Sequence, residues 1–193
     1  MSAIFPAAAS DIKPGTCAKP VWPAEARRYE LTGTTTLSFR IDEAGRPHDI
    51  VVARSGRWDM LDQASAKALA SCEVRPEAAK KAGDGRKLPV QYVWSLEGGE
   101  RSHPLLVEGS CPASERFASF APFDKGVTGP DGVLVRLRVR SSGAPADVKA
   151  EARDADPALV QAAIDYVQGC RFAREPDAKL KYTDTVIGRV LLK

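Results

Sequence analysis

The stretch "TTTLSFRIDEAGRPHDIVVA", residues 34–53, reads as a β-hairpin. Leu37, Phe39 and Ile41 alternate with Ser38 and Arg40, the period of two that marks a strand with one buried face. "DEAG" turns the chain, with Gly45 giving the backbone its freedom, and "HDIVVA" returns it. The exit of this hairpin, "GRPHDI" at 45–50, has a counterpart in "GAPADV" at 143–148, and 143 − 45 = 98. Shifted by that offset, Leu37, Phe39 and Ile41 fall on Val135, Leu137 and Val139. Gly45, Pro47 and Asp49 fall on Gly143, Pro145 and Asp147, Leu61 falls on Leu159, Cys72 on Cys170 and Val74 on Phe172. Apolar parity, turn residues and a cysteine agree together without a gap, which reads as two tandem copies, 15–98 and 105–193.

Each copy has the same expected content. A helix follows the hairpin, from about Asp59 to Ser71 in copy one with Asp59 as its N-cap. In copy two Asp156 is the N-cap and Pro157 suits the first turn. A closing strand comes last: "LPVQYVWSLE" alternates Val90, Tyr92 and Trp94 against Gln91, Val93 and Ser95, and "DTVIGRVLLK" stands in its place in copy two. Ahead of the hairpin lies "PVWPAEARRYEL", a short helix opened by Pro23, matched in position by "CPASERFASF". The expected fold class is α+β, each copy a three-stranded antiparallel sheet with one main helix and a short N-terminal helix.

Four cysteines allow three pairings. The separations 72 − 17 = 55 and 170 − 111 = 59 are alike, so the repeat favours Cys17 with Cys72 and Cys111 with Cys170. Two domains this small benefit from such staples, and disulfides imply an oxidising compartment. Four buried free thiols in a cytosolic protein are the alternative. The net charge of +3 in 193 residues is too mild for binding driven by phosphates, so no nucleic-acid partner is expected. No apolar run reaches the ~18 residues of a membrane helix. "MSAIFPAAASDIKPGT" reads as a mature start whose signal was removed, with a native cytosolic start as the alternative.

Copy one resembles the C-terminal domain of TonB, the energy transducer of Gram-negative envelopes. The resemblance rests on Pro20, Trp22, Pro23 and Ala26 (a Pro-x-Tyr-Pro-x-x-Ala opening with Trp for Tyr). It continues through the strand from Gly33 to Ile41, the turn at Gly45, Ser55-Gly56 before the helix, and Val74 shortly before Pro76. Copy two lacks the opening and looks like a diverged second copy. The resemblance implies a periplasmic, non-enzymatic domain that takes an extended segment of an outer-membrane receptor, the TonB box, at the edge of its final strand. Carried over, this points to Pro20, Trp22, Pro23, Val90, Tyr92 and Trp94 as peptide-binding residues. The same arrangement has a physical rationale: a sheet edge offers main-chain hydrogen bonds, and alternate side-chain pockets give specificity. A free edge also permits homodimerisation.

Trp22 before Pro23 also suits a hydrophobic staple for the short helix, and core packing accounts for one face of the Tyr92 and Trp94 strand. Arg136, Arg138 and Arg140 form a basic stripe, read as a solvated sheet face or as a lure for an acidic partner. His48 and His103 have no ligand pattern around them, so no metal or other cofactor is expected. Asp42 and Glu43 belong to a turn, and no acid, base and nucleophile set is visible, which predicts no enzyme. A periplasmic inhibitor of immunity type, with a disulfide-stapled surface, is the second functional expectation. The soluble part of an energy transducer is the third.

Overall fold

A computed structural model of the chain describes residues 12–13, 15–75, 77, 87–96, 101–174 and 179–193. Pro76, the N-terminal stretch 1–11 and residues 97–100 of the linker lie outside the described residues. The chain divides into two compact units, Met1–Glu97 and Gly98–Lys193.

In the first unit a short helix α1 (Ala24–Arg28) precedes strands β1 (Gly33–Ile41) and β2 (Pro47–Arg54), helix α2 (Asp59–Ala70) and strand β3 (Leu88–Trp94). The sheet is antiparallel in the order β2-β1-β3. Period two holds: Thr35, Leu37 and Phe39 of β1 and Val90, Tyr92 and Trp94 of β3 are buried together with Trp58, Leu61 and Leu69. The hairpin turn needs glycine. Gly45 has φ +77°, and a Cβ there would meet the Val74 carbonyl oxygen at 3.0 Å. The Gly45 carbonyl accepts from Val74 N at 2.7 Å, which ties the turn to the segment after the helix.

Helix α2 starts differently from the expectation. Trp58, not Asp59, occupies the cap position, with no side-chain cap bond. The Trp58 ring is buried, so the helix start is held by packing where a polar cap would hold an exposed one. The polar order comes from Asp62 one turn in, 1% exposed. Its Oδ1 accepts from Thr35 Oγ1 at 2.7 Å and from Gly56 N at 2.9 Å, and its Oδ2 accepts from Ser55 Oγ at 2.6 Å. Strand, loop and helix thus share one buried carboxylate. Truncation strands these donors, so Asp62→Ala is expected to cost about 2–3 kcal/mol, read by urea unfolding. Asp62→Asn, which keeps one acceptor, should cost less.

The second unit contains β4 (Arg101–Ser102), β5 (Leu105–Leu106), β6 (Phe117–Pro122), β7 (Gly132–Val139), β8 (Pro145–Glu151), α3 (Pro157–Gln168), β9 (Phe172–Ala173), β10 (Lys181–Tyr182) and β11 (Thr185–Leu192). Its main sheet runs β6-β11-β7-β8, and β5 pairs with β9 and β4 with β10. The ladder registers recur at the sequence offset. Thr35 faces Tyr92 and Leu37 faces Val90; Val133 faces Val190 and Val135 faces Gly188, each 98 positions on. Ile41 faces Pro47 as Val139 faces Pro145, and the bulged residues Asp49 and Asp147 have φ of 49° and 51°. The Gly143 carbonyl accepts from Phe172 N at 2.9 Å. Asp156 caps α3 by accepting from Ala158 N at 3.0 Å.

Two expectations for this unit are corrected. "CPASERFASF" is no short helix: its second half is strand β6, so the sheet has four strands where three were expected. Phe117 and Phe120 lie three apart, a helical spacing, yet both are buried. A bulge reconciles this. Phe120 faces Val190 and Ser119 faces Leu191, but Phe117 faces Leu192, so Ala118 is the extra residue and both rings come to one face. The arginine stripe is not a solvated basic face. Arg136 is buried and meets Glu151 at 2.6 Å, Arg138 meets Asp184 at 2.5 Å, and only Arg140 of the three is exposed. The strands on either side of β7 and their flanks supply the acids. Glu151→Ala removes the carboxylate from a buried guanidinium and should cost about 2–3 kcal/mol in urea unfolding, while replacing both partners by apolar residues should cost less.

Candidate strand-addition site

Strand β3 is an edge. It pairs with β1 on one side, and among the described residues no strand pairs with its other side. Val90, Tyr92 and Trp94 alternate inward, beneath α2. Trp94 Nε1 donates to Ser65 Oγ at 3.0 Å, and Ser65 Oγ donates in turn to Leu61 O at 2.7 Å. Burial pushes the Tyr92 phenol up to about 12. These three side chains therefore hold the strand in place. What β3 offers outward is its backbone, with Gln91 and Val93 half-buried on the opposite face. Gln91 Nε2 donates to Thr36 Oγ1 at 3.3 Å across the pair.

The Pro20–Pro23 segment stands at the Trp94 end of the strand. The Trp22 ring is 7% exposed and meets Trp94 edge-on, with centroids 5.6 Å apart. Pro23 accepts the Arg27 N–H at 3.0 Å and starts α1. Between two half-buried prolines and a buried tryptophan, Val21 is 79% exposed. Sequence reasoning named its neighbours and passed over Val21. Its signal is an apolar residue whose flanking groups are both committed inward.

The segments before β1 and β6 are tied down by disulfides, Cys17–Cys72 and Cys111–Cys170. A hydroxyl next to each cysteine adds to the tie. Thr16 Oγ1 accepts from Glu73 N at 3.0 Å, and Ser110 Oγ accepts from Arg171 N at 3.1 Å. Among the described residues no three His, Cys, Asp or Glu side chains gather as a metal site would need. His48 lies 3.4 Å from Asp49 at the surface, and His103 Nδ1 lies 2.9 Å from the Thr185 carbonyl. No helix among the described residues is long and apolar enough to cross a membrane.

Comparison with known proteins bears on the first unit. Residues 18–96 match the family described as the Gram-negative bacterial TonB protein C-terminal. Among solved structures, the chain is similar to the Pseudomonas aeruginosa TonB CTD determined by solution NMR, with 28% identity over 47% of this chain and 92% of that chain, at a TM-score of 0.36. No curated protein matches. Over residues 18–96 the first unit is therefore similar to the TonB C-terminal family, and its own structure is mixed α+β. Its pair of disulfide-bonded cysteines, with the second pair at Cys111–Cys170, fits an oxidising compartment outside the cytoplasm.

Proposed function

We propose that the TonB-like unit binds an extended segment of a protein partner by adding it as a strand to β3, in the periplasm and without catalysis. The observation that carries this is the outer edge of β3, with which no strand pairs among the described residues, and Trp22 packed at its end. Main-chain hydrogen bonds along such an edge supply affinity, and exposed Val21 beside it supplies an apolar contact. The likeness of residues 18–96 to the TonB C-terminal domain favours an outer-membrane receptor as the source of that segment. The buried Asp62 has its two oxygens engaged by Thr35, Ser55 and Gly56, an arrangement that fits a structural carboxylate better than a catalytic one.

We further read the second unit as a diverged copy of the first. The shared offset of 98 in both ladders, in the hairpin bulge and in the link from turn glycine to post-helix residue supports descent from one ancestral domain.

The test is an NMR titration of the full chain with a synthetic peptide of TonB-box type. Shift changes along Leu88–Ser95 and around Val21 and Trp22 are the expected result. A protein that stays silent at millimolar peptide would sink strand addition and bring forward the inhibitor reading, in which loops of a stapled surface make the contacts. Concentration-dependent shifts at β3 without peptide would instead mark edge-to-edge homodimerisation.

A further inference from the structure

We infer that the second unit has filled its own edge with β6, so that among the described residues β3 is the one of the two matching edges left open, presenting the N–H and C=O groups of Gln91 and Val93. The part concerning β3 rests on the strand-addition reading above; the closure of the second unit stands on its own geometry.

Alternation of the ladder fixes which backbone groups face outward. Asp42 N donates to Arg46 O at 3.0 Å, so even-numbered positions of β1 turn toward β2 and odd-numbered ones toward β3. The partners of those odd positions are Val90, Tyr92 and Trp94, whose backbone groups are used by β1. Pro89, facing Ser38, has no N–H to give and falls on the other parity, where the ladder loses nothing. Gln91 and Val93 share the Pro89 parity, so their donors and acceptors point away from β1.

In the second unit the same positions are taken. Val139 N donates to Asp184 O at 2.8 Å, which turns the even positions of β11 toward β7. The odd ones face β6: Phe123 N donates to Ile187 O at 2.6 Å, Arg189 pairs with Ala121, Leu191 pairs with Ser119, and Lys193 N donates to Arg116 O at 3.1 Å. Arg189 and Leu191 are Gln91 and Val93 moved by 98. The segment "RFASFAPF", residues 116–123, therefore occupies the place that an added strand would take. It also defines the kind of occupant. It runs antiparallel, and its one proline, Pro122, faces Gly188, a position that turns toward β7 and asks for no N–H from β6. A partner for β3 is accordingly an extended segment of about four residues with no proline opposite Gln91 or Val93.

Amide hydrogen exchange on the ¹⁵N-labelled full chain tests this without any ligand. Arg189 and Leu191 should exchange about 100-fold or more slowly than Gln91 and Val93, with Val90 and Tyr92 protected throughout. Protection of Gln91 and Val93 equal to that of Arg189 and Leu191, in either direction, overturns the inference. Titration with the TonB-box-type peptide separates the two readings. Shifts in β11 as large as those in β3 overturn closure and leave strand addition standing. Slow exchange at Arg189 and Leu191, fast exchange at Gln91 and Val93, and no response to peptide would support closure and remove strand addition.

Discussion

Gln91→Pro folds like the parent chain and loses peptide binding by about tenfold or more, whereas Val90→Pro loses about 4 kcal/mol of stability. The two substitutions are neighbours on one strand and differ in where the lost N–H points and in whether a core side chain goes with it. At Gln91 the missing donor faces the open edge, where prolines are tolerated. At Val90 it faces β1, opposite Leu37, and the change also removes a side chain that is fully inside the core. Urea unfolding measures the stability half and peptide titration the binding half. Gln91→Ala is the control: it removes the bond to Thr36 but keeps the backbone donor, so it should bind nearly as well as the parent. If Gln91→Pro binds undiminished while folded, the partner does not add along β3. If Gln91→Ala is the weaker binder, the side chain and not the backbone carries recognition.

The contrast between those positions was only partly legible in the amino-acid sequence. Strict alternation in "TTTLSFRI" and "VQYVW" announced the strands and their inward faces, because a half-buried strand writes its period directly into residue choice. The resemblance, not the alternation, pointed to Val90, Tyr92 and Trp94 as contact residues, and their side chains are buried in support of the strand. Backbone direction leaves no mark in the side chains except where a proline stands, and Pro89 was that mark. "CPASERFASF" was read as a helix from its place ahead of the hairpin, and the bulge at Ala118, which brings Phe117 and Phe120 to one face, breaks the period of two that would have marked strand β6. Ion pairs escaped for another reason. Arg136 and Glu151, or Arg138 and Asp184, are neighbours only once the sheet has formed, and nothing local to "VRLRVR" tells a solvated stripe from a neutralised one. Asp62 had a faint signal: an acid in an otherwise small and apolar helix face, in the first turn of the helix that follows Ser55-Gly56, whose donors it receives.

Reduction should weaken each unit by about 4 kcal/mol. The disulfides close loops with separations of 55 and 59 residues, and constraining an unfolded loop of that length stabilises by about 4 kcal/mol in the chain-entropy model. A whole domain holds only about 5–15 kcal/mol, so a unit of this size has little left without its bridge. Loss of the bridge also frees the segment it fastens. In the first unit that segment leads through Ala18, whose N–H donates to Ser71 Oγ at 2.8 Å, to Val21 and Trp22 at the end of β3. Cys17→Ser with Cys72→Ser should therefore weaken peptide binding as well as folding, and Cys111→Ser with Cys170→Ser should leave binding to β3 in place while lowering the melting temperature of the second unit. Calorimetry of the two double variants, with the peptide titration beside it, reads both effects. Equal loss of peptide binding in the two would show that the bridges act on the chain as a whole. Unchanged melting in either would show that the reduced, unfolded unit is already as restrained as the bridged one.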